Sequence, residues 1–291
     1  MRILIAGSHG QLGSELVRFA SKKHTLLAVD HDVLDITDLD AILRCCDDFQ
    51  PDVVINAAAY TAVDKAESDV EAAFAVNRDG PANLARVCES KGITLIHVST
   101  DYVFDGSKQG AYRENDAVAP LGVYGTGKLA GEQAVLKYCP NSIILRTSWV
   151  FSSHGNNFVK TMLRLAVDRE ELSVVGDQHG CPTSAAELAR AICAVIDKDM
   201  NDQHWGVYHF CQPEPTTWFG FARMIFEMAS EQELNLKIRT VNAITTEDYP
   251  TPAKRPVNSV MDCTKFSQTF GFSIKPWSES LLEVIKELKH A

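Results

Sequence analysis

The chain opens Met1-Arg2-Ile3-Leu4-Ile5-Ala6-Gly7-Ser8-His9-Gly10-Gln11-Leu12-Gly13. A short, continuous apolar run, Ile3–Ala6, meets a turn with glycine at every third position, and an amphipathic pattern follows over Leu12–Ala20. Strand, tight turn and helix in that order put backbone N–H groups at a helix N-terminus, where anionic phosphate is favoured. Gly7 suits a turn that a Cβ would obstruct. Gly10 lets the backbone approach a pyrophosphate, and Gly13 permits close packing of helix on strand. The spacing Gly-x-x-Gly-x-x-Gly departs from the Gly-x-Gly-x-x-Gly fingerprint, and a purely structural turn is the bland alternative. Its place directly behind a first strand favours a dinucleotide.

The alternation continues outward from this stretch. Leu26–Val29, Val53–Ala58, Leu95–Val98 and Ile143–Arg146 are short and almost wholly apolar, as strands buried on both faces are. Between them, Leu39–Cys46, Val70–Ser90 and Leu129–Tyr138 carry apolar residues at three- and four-residue spacings. Repeated strand–helix–strand predicts an α/β fold: a Rossmann-type doubly wound parallel sheet over residues 1–150. Asp30 ends the second strand, where a carboxylate can bind adenosine ribose hydroxyls and would repel a 2′-phosphate. That leans toward NAD over NADP, since no Arg follows, only His31; a strand-end Asp that starts a turn is the alternative.

From about residue 151 the texture changes to short pieces rich in Gly, Pro and polar residues, such as Ser152–Asn157 and Val175–Thr183. Helices are expected near 158–168, 184–198, 217–230 and 278–288, with a strand at Val207–Phe210. Thr251–Pro256 is expected to be an extended loop because two prolines restrict it. These features predict a smaller substrate-binding lobe over 151–291, with some elements, near 184–210, returning to the first.

The formal net charge of −10 argues against a general nucleic-acid binder, which would show a basic face. Eight cysteines occur without a Cys-x-x-Cys pair, and no His pair has metal-ligand spacing, so free thiols in a reducing cytosol are expected and no metal site. No signal peptide precedes the first strand, and no apolar run approaches the roughly 20 residues that span a bilayer. The expectation is a cytoplasmic protein with no membrane partner.

Tyr124 and Lys128 stand four apart, so both side chains share one face of the helix that runs on to Tyr138. A neighbouring ammonium stabilises a phenolate, and the phenol is expected to titrate below its usual range and trade a proton with a carbonyl oxygen. Lys128 could also hold cofactor ribose hydroxyls. Thr100 ends a parallel strand, where open α/β sheets bind ligands, and its hydroxyl can reach the same oxygen. A packed Tyr, a solvated Lys and a turn Thr are the alternatives for each residue taken singly. Their order along the chain favours a nicotinamide-dependent enzyme.

Several segments carry a resemblance: Asn56–Glu67, Ser99-Thr100-Asp101-Tyr102-Val103-Phe104-Asp105-Gly106, Val123-Tyr124-Gly125-Thr126-Gly127-Lys128-Leu129-Ala130-Gly131-Glu132 and Arg146–Phe151. With Gly155–Phe158 and Tyr249–Ala253, they make the chain similar to the extended short-chain dehydrogenase/reductases, and within these to the dTDP-4-dehydrorhamnose reductases. The resemblance spans nearly the whole chain. It implies reduction of the C4 keto group of a dTDP-4-dehydro-6-deoxy sugar by NADPH or NADH, in dTDP-rhamnose and O-antigen lipopolysaccharide biosynthesis. It also implies that Tyr124 donates the proton, Lys128 tunes it and Thr100 orients the keto oxygen. Gly7, Gly10, Gln11, Leu12, Gly13, Asp30, Asp35, Ile36, Ala59, Tyr60 and Thr61 would line the cofactor; Thr100, Asp101 and Trp149 would meet the sugar nucleotide. Asn156, Asn157 and Arg255 are weaker candidates for the second-lobe side; Arg255 could pair with the diphosphate or be a loop charge, and Trp149 could equally be a core residue. The resemblance further allows a homodimer and a Mg²⁺ ion, which nothing in the sequence locates. Dehydratases of this superfamily place Asp-Glu after the Thr; here Asp101 is followed by Tyr102, which disfavours dehydration. A nucleotide-sugar epimerase and a regulatory subunit of the methionine adenosyltransferase type remain as alternatives.

Overall fold

The computed structural model describes residues 1–198 and 200–290. Its strands are β1 (Arg2–Ala6), β2 (Thr25–Val29), β3 (Val53–Asn56), β4 (Thr94–Thr100), β5 (Ser142–Thr147), β6 (Val150–Phe151), β7 (Glu171–Val175), β8 (His179–Gly180), β9 (Thr183–Ser184), β10 (Gly206–His209), β11 (Thr216–Thr217) and β12 (Thr240–Ile244). The α-helices are α1 (Gln11–Ala20), α2 (Leu39–Phe49), α3 (Val63–Ala66), α4 (Val70–Phe74), α5 (Gly80–Lys91), α6 (Val123–Tyr138), α7 (Phe158–Asp168), α8 (Ala185–Ile196), α9 (Trp218–Glu231), α10 (Thr264–Phe270) and α11 (Trp277–Lys289).

Six strands form one parallel sheet in the order β10-β5-β4-β3-β1-β2. Side chains alternate across a strand, and β1 shows the result. Ile3 and Ile5 join a core with Leu16 of α1, Leu188 and Ile192 of α8 and Phe266 of α10, while Leu4 and Ala6 join another with Ile42 of α2, Leu84 of α5 and Val135 of α6. With helices on both faces, the near-continuous apolar runs have no solvent side to alternate toward. β10 extends the sheet beside β5, and α8 packs on α1. A separate apolar cluster joins α7, α9, α11 and the parallel pair β7–β12, with Phe151, Phe221 and Trp277 at its centre. Among the described residues no helix is long and apolar enough to cross a membrane.

Two expected elements differ in ways that matter for function. β3 stops at Asn56 rather than Ala58, freeing residues 57–62 as a loop above the sheet. The helical stretch expected over Val70–Ser90 is split by a π-helical turn, Ala75–Asp79. Asn77 is wholly buried in that turn, accepts from the Tyr60 N–H (2.9 Å) and donates to the Tyr60 carbonyl (3.0 Å). Inserted π-turns recur at functional sites; this one fixes the loop after β3. Helix α6 lies close against it, since a Cβ on Gly131 would come within 2.1 Å of the Asn77 carbonyl oxygen.

Candidate active site

The chain reverses its strand order between β1 and β3, and open α/β sheets bind ligands at such a point, beyond the strand C-termini. A cleft of about 750 Å³ lies there. Gly7, Gly10, Gln11 and Leu12 reach it from the turn after β1, and Asp30, Asp35 and Ile36 from the end of β2 and the turn beyond. Ala59, Tyr60 and Thr61 follow β3, Tyr124 and Lys128 project from α6, and Asn156 enters from the loop after β6. Residues far apart in sequence are thus brought to one wall or another of a single cavity.

The glycine turn is sterically demanding. Gly7 has φ +84°, and a Cβ there would lie 2.6 Å from the Ala58 nitrogen. Gly13 does not line the cleft. A Cβ on it would sit 2.1 Å from the Gly7 carbonyl oxygen, so it serves the close approach of α1 to the turn. Gly10 caps α1 without a side-chain acceptor, which leaves first-turn N–H groups free of side-chain partners.

Strand β4 and helix α6 are joined by two successive residues, with a third beside them. The Val98 carbonyl accepts from Lys128 Nζ at 2.6 Å, the Ser99 hydroxyl donates to Glu132 Oε1, and the Thr100 side chain stands near enough to the Tyr124 phenol to lower its pKa. α6 begins at Val123, so Tyr124 and Lys128 are both on helical backbone. Glu132 is buried and is gripped by Arg146 of β5, Nη2–Oε2 2.7 Å and Nε–Oε1 2.9 Å. Sequence reasoning did not single Glu132 out, although it stands one helical turn beyond Lys128.

The electrostatics correct one expectation. Burial pushes the Tyr124 phenol up to about 12, with the Thr100 hydroxyl pulling it back only in part. Desolvation dominates at Tyr124, and Lys128, which donates to the Val98 carbonyl, is itself brought down to about 8 by burial, against the opposing pull of Glu132. Tyr124 is therefore a loaded proton donor at neutral pH rather than a ready phenolate.

Thr100 and Asp101 follow the cleft-lining Ser99 but do not line the cleft themselves; both are buried, and the Thr100 hydroxyl donates to Asp101 Oδ1 at 3.0 Å. Burial raises the Asp101 carboxyl to about 7. Tyr102, where a dehydratase would carry Glu, packs its ring edge-to-face on Tyr124 with centroids 5.7 Å apart. Trp149 does not line the cleft: it stacks on Trp218 at 3.6 Å, covers Gly180 and is held at φ +47°. Asn157 caps α7 and bonds Gln11. Arg255 is committed to Asp64 (2.7 Å) rather than open to a diphosphate.

The family model described as the RmlD substrate binding domain matches residues 1–290. A dTDP-4-dehydrorhamnose reductase of Aggregatibacter actinomycetemcomitans is 46% identical, over 97% of this chain and 98% of that protein. A crystallised dTDP-4-dehydrorhamnose reductase of Clostridium acetobutylicum aligns at TM-score 0.91 and 40% identity, over 99% of this chain and all of that one. Another, from Bacillus anthracis in complex with NADP, aligns at TM-score 0.91 and 36% identity, over 98% and 99% of the two chains. With its dinucleotide-type cleft and its Thr100–Tyr124–Lys128 group, the chain belongs to the RmlD substrate binding domain family.

Proposed function

We propose that this chain reduces the C4 keto group of dTDP-4-dehydro-6-deoxy-L-mannose to dTDP-L-rhamnose, using NADPH or NADH, with Tyr124 as proton donor. The observation that carries the reading is a phenol held protonated on the lining of a cleft that also takes in a glycine-lined helix N-terminus without a side-chain cap. Residues 1–150, with β10 and α8, would form the dinucleotide side, and the rest of 151–291 the sugar side.

The residues present fit a dinucleotide. Gly7, Gly10, Gln11 and Leu12 would hold the pyrophosphate against the α1 N-terminus, and Asp30, Asp35 and Ile36 the adenosine end. Ala59, Tyr60, Thr61 and Lys128 would hold the nicotinamide ribose. A reduced nicotinamide bound there supplies the hydride. Tyr124 hands its proton to the C4 oxygen as charge develops on it, and Thr100 orients that oxygen by hydrogen bond. Lys128, charged at neutral pH, donates to ribose hydroxyls, a role its place between Val98 and the cleft supports. Asp101 stands next to Thr100 on the sugar side. No second acid follows it, which supports reduction over elimination.

Trp149 would reach the sugar nucleotide by leaving the Trp218 stack. Trp149→Ala is expected to stay folded by circular dichroism and to raise the KM for the sugar nucleotide about tenfold, the scale of one aromatic contact. Loss of the folded state with no separable KM effect would make the indole a packing group only.

The test of the whole reading supplies dTDP-4-dehydro-6-deoxy-D-glucose, its 3,5-epimerase and reduced cofactor. Consumption of cofactor in step with formation of dTDP-L-rhamnose is expected. Unchanged cofactor absorbance, or a product that keeps its C4 ketone, would overturn the proposal.

A further inference from the structure

We propose that Glu67 is a positioning residue for proton transfer: its side chain caps α6 from far off in sequence and so fixes Tyr124, the second residue of that helix, at the cleft. The inference rests on the reading of Tyr124 as proton donor and adds the group that holds it in place.

Tyr124 sits where a helix secures itself least. The first four N–H groups of an α-helix have no acceptor within it, and helix ends fray. The usual remedy is a Ser, Thr, Asp or Asn side chain on the residue before the helix. Here that residue is Gly122, which has none to offer. The acceptor comes instead from 56 residues earlier, where Glu67 Oε1 takes the Val123 N–H at 2.8 Å. A carboxylate is also favoured at the positive end of the helix dipole. Gly122 is what admits it, since a Cβ there would stand 2.6 Å from Oε1. On the other side of Tyr124, a Cβ on Gly125 would meet the Tyr102 carbonyl oxygen at 2.2 Å, and the Tyr102 ring packs on the phenol. The residues flanking Tyr124 are thus each seated on a neighbour, Val123 on Glu67 and Gly125 on the main chain of Tyr102.

Glu67 can serve as a fixed point because its own segment is tied down on both sides. It directly follows α3, whose Ala66 is wholly buried. Asp64, three residues before it, holds Arg255 through both carboxylate oxygens, at 3.0 and 2.7 Å. Asp69, two residues after it, accepts from the Tyr60 hydroxyl at 3.0 Å, and Tyr60 lines the cleft. Glu67 itself shares a small cavity with Tyr102, Tyr124 and Ala253. One short segment therefore ties together the loop after β3, the loop that carries Arg255 and the helix that carries the phenol. Such alignment matters to rate, because a displacement of about 1 Å at a reacting group costs on the order of 10²-fold.

The test is steady-state reduction of the epimerase-generated dTDP-4-keto sugar by the full-length parent and its Glu67→Ala, Glu67→Gln and Glu67→Asp variants. Glu67→Ala should lower kcat about 10- to 100-fold while both KM values stay within about threefold. Its melting temperature should stay within about 4 °C of the parent's, the scale of one lost cap. Glu67→Gln keeps an acceptor oxygen of the same reach and should hold kcat within about threefold of the parent. Glu67→Asp, one methylene shorter, should be as slow as the Ala variant, and the Gln–Asp pair decides the matter if Glu67→Ala does not fold. In a Tyr124→Phe background Glu67→Ala should cost nothing further, since a residue that acts through the phenol then has nothing to position. An unchanged kcat in Glu67→Ala, KM values that rise in step with the fall in kcat, a Gln variant as slow as Ala, an Asp variant as fast as the parent, or a full loss in the Phe background would each overturn the inference and leave the reaction assigned to the cleft standing. A parent that consumes no reduced cofactor with this substrate would overturn that reaction and this inference with it.

Discussion

Tyr124→Phe is expected to fold and to bind NADPH as the parent does, yet to lose about 10²- to 10⁴-fold in turnover, the usual worth of a positioned general acid. Phenylalanine keeps the ring that Tyr102 packs against, so the edge-to-face contact survives and only the hydroxyl is lost. The fall should be in kcat with little change in KM, because the proton is needed only as negative charge develops on the C4 oxygen. The direction of the pKa shift adds a second readout. Burial holds the phenol near 12, so its proton is present throughout neutral pH. This group alone should leave reduction flat between about pH 6 and 9, whereas the reverse oxidation needs the phenolate and should climb about tenfold per pH unit. Lys128, at about 8, loses charge as pH rises through that value, so ribose binding should weaken on the alkaline side. A Phe variant within about threefold of the parent would remove Tyr124 from the chemistry.

Glu132→Ala should cost roughly 3–5 kcal/mol of stability, the usual result of deleting one partner of a buried ion pair. Arg146 would keep only the His209 ring at 3.5 Å and the face of Phe104, whose centroid is 5.3 Å from the guanidinium carbon. The Ser99 hydroxyl would lose its acceptor as well. Urea unfolding measures the loss as a lower midpoint at unchanged slope. Glu132→Ala/Arg146→Met should regain most of it, since an apolar replacement of the whole pair leaves no stranded charge. A single-variant cost below about 1 kcal/mol would mean that the pair does not hold α6 against the sheet.

How much of this was legible in the sequence depended on how local the signal was. The first five sheet strands declared themselves because strands covered on both faces must be apolar throughout, and Tyr124–Lys128 did so because one helical turn fixes their spacing. β7 and β12 went unread: Glu171–Val175 and Thr240–Ile244 are short and find each other only across a long sequence gap. α10 was missed for its brevity, although Gly271 at φ +64° marks its end. The π-turn was invisible because Asn77 reads as an ordinary polar position in a helical pattern. The phenol was expected to be more acidic because sequence spacing registers the nearby ammonium and not the desolvation that outweighs it. Arg255 pointed to a diphosphate until the fold brought Asp64 against it.

The buried carboxamide of Asn77 has a reach beyond its own turn. It pins the main chain of Tyr60, while the main-chain carbonyl of Asn77 itself lies against the bare backbone of Gly131. The coenzyme's floor and the mount of the reacting phenol thus share one support, and a change made along that seam is felt at both. Variants selected there for altered coenzyme affinity should arrive with altered speed, whereas those at the rim near Asp30 can retune affinity and leave the speed alone.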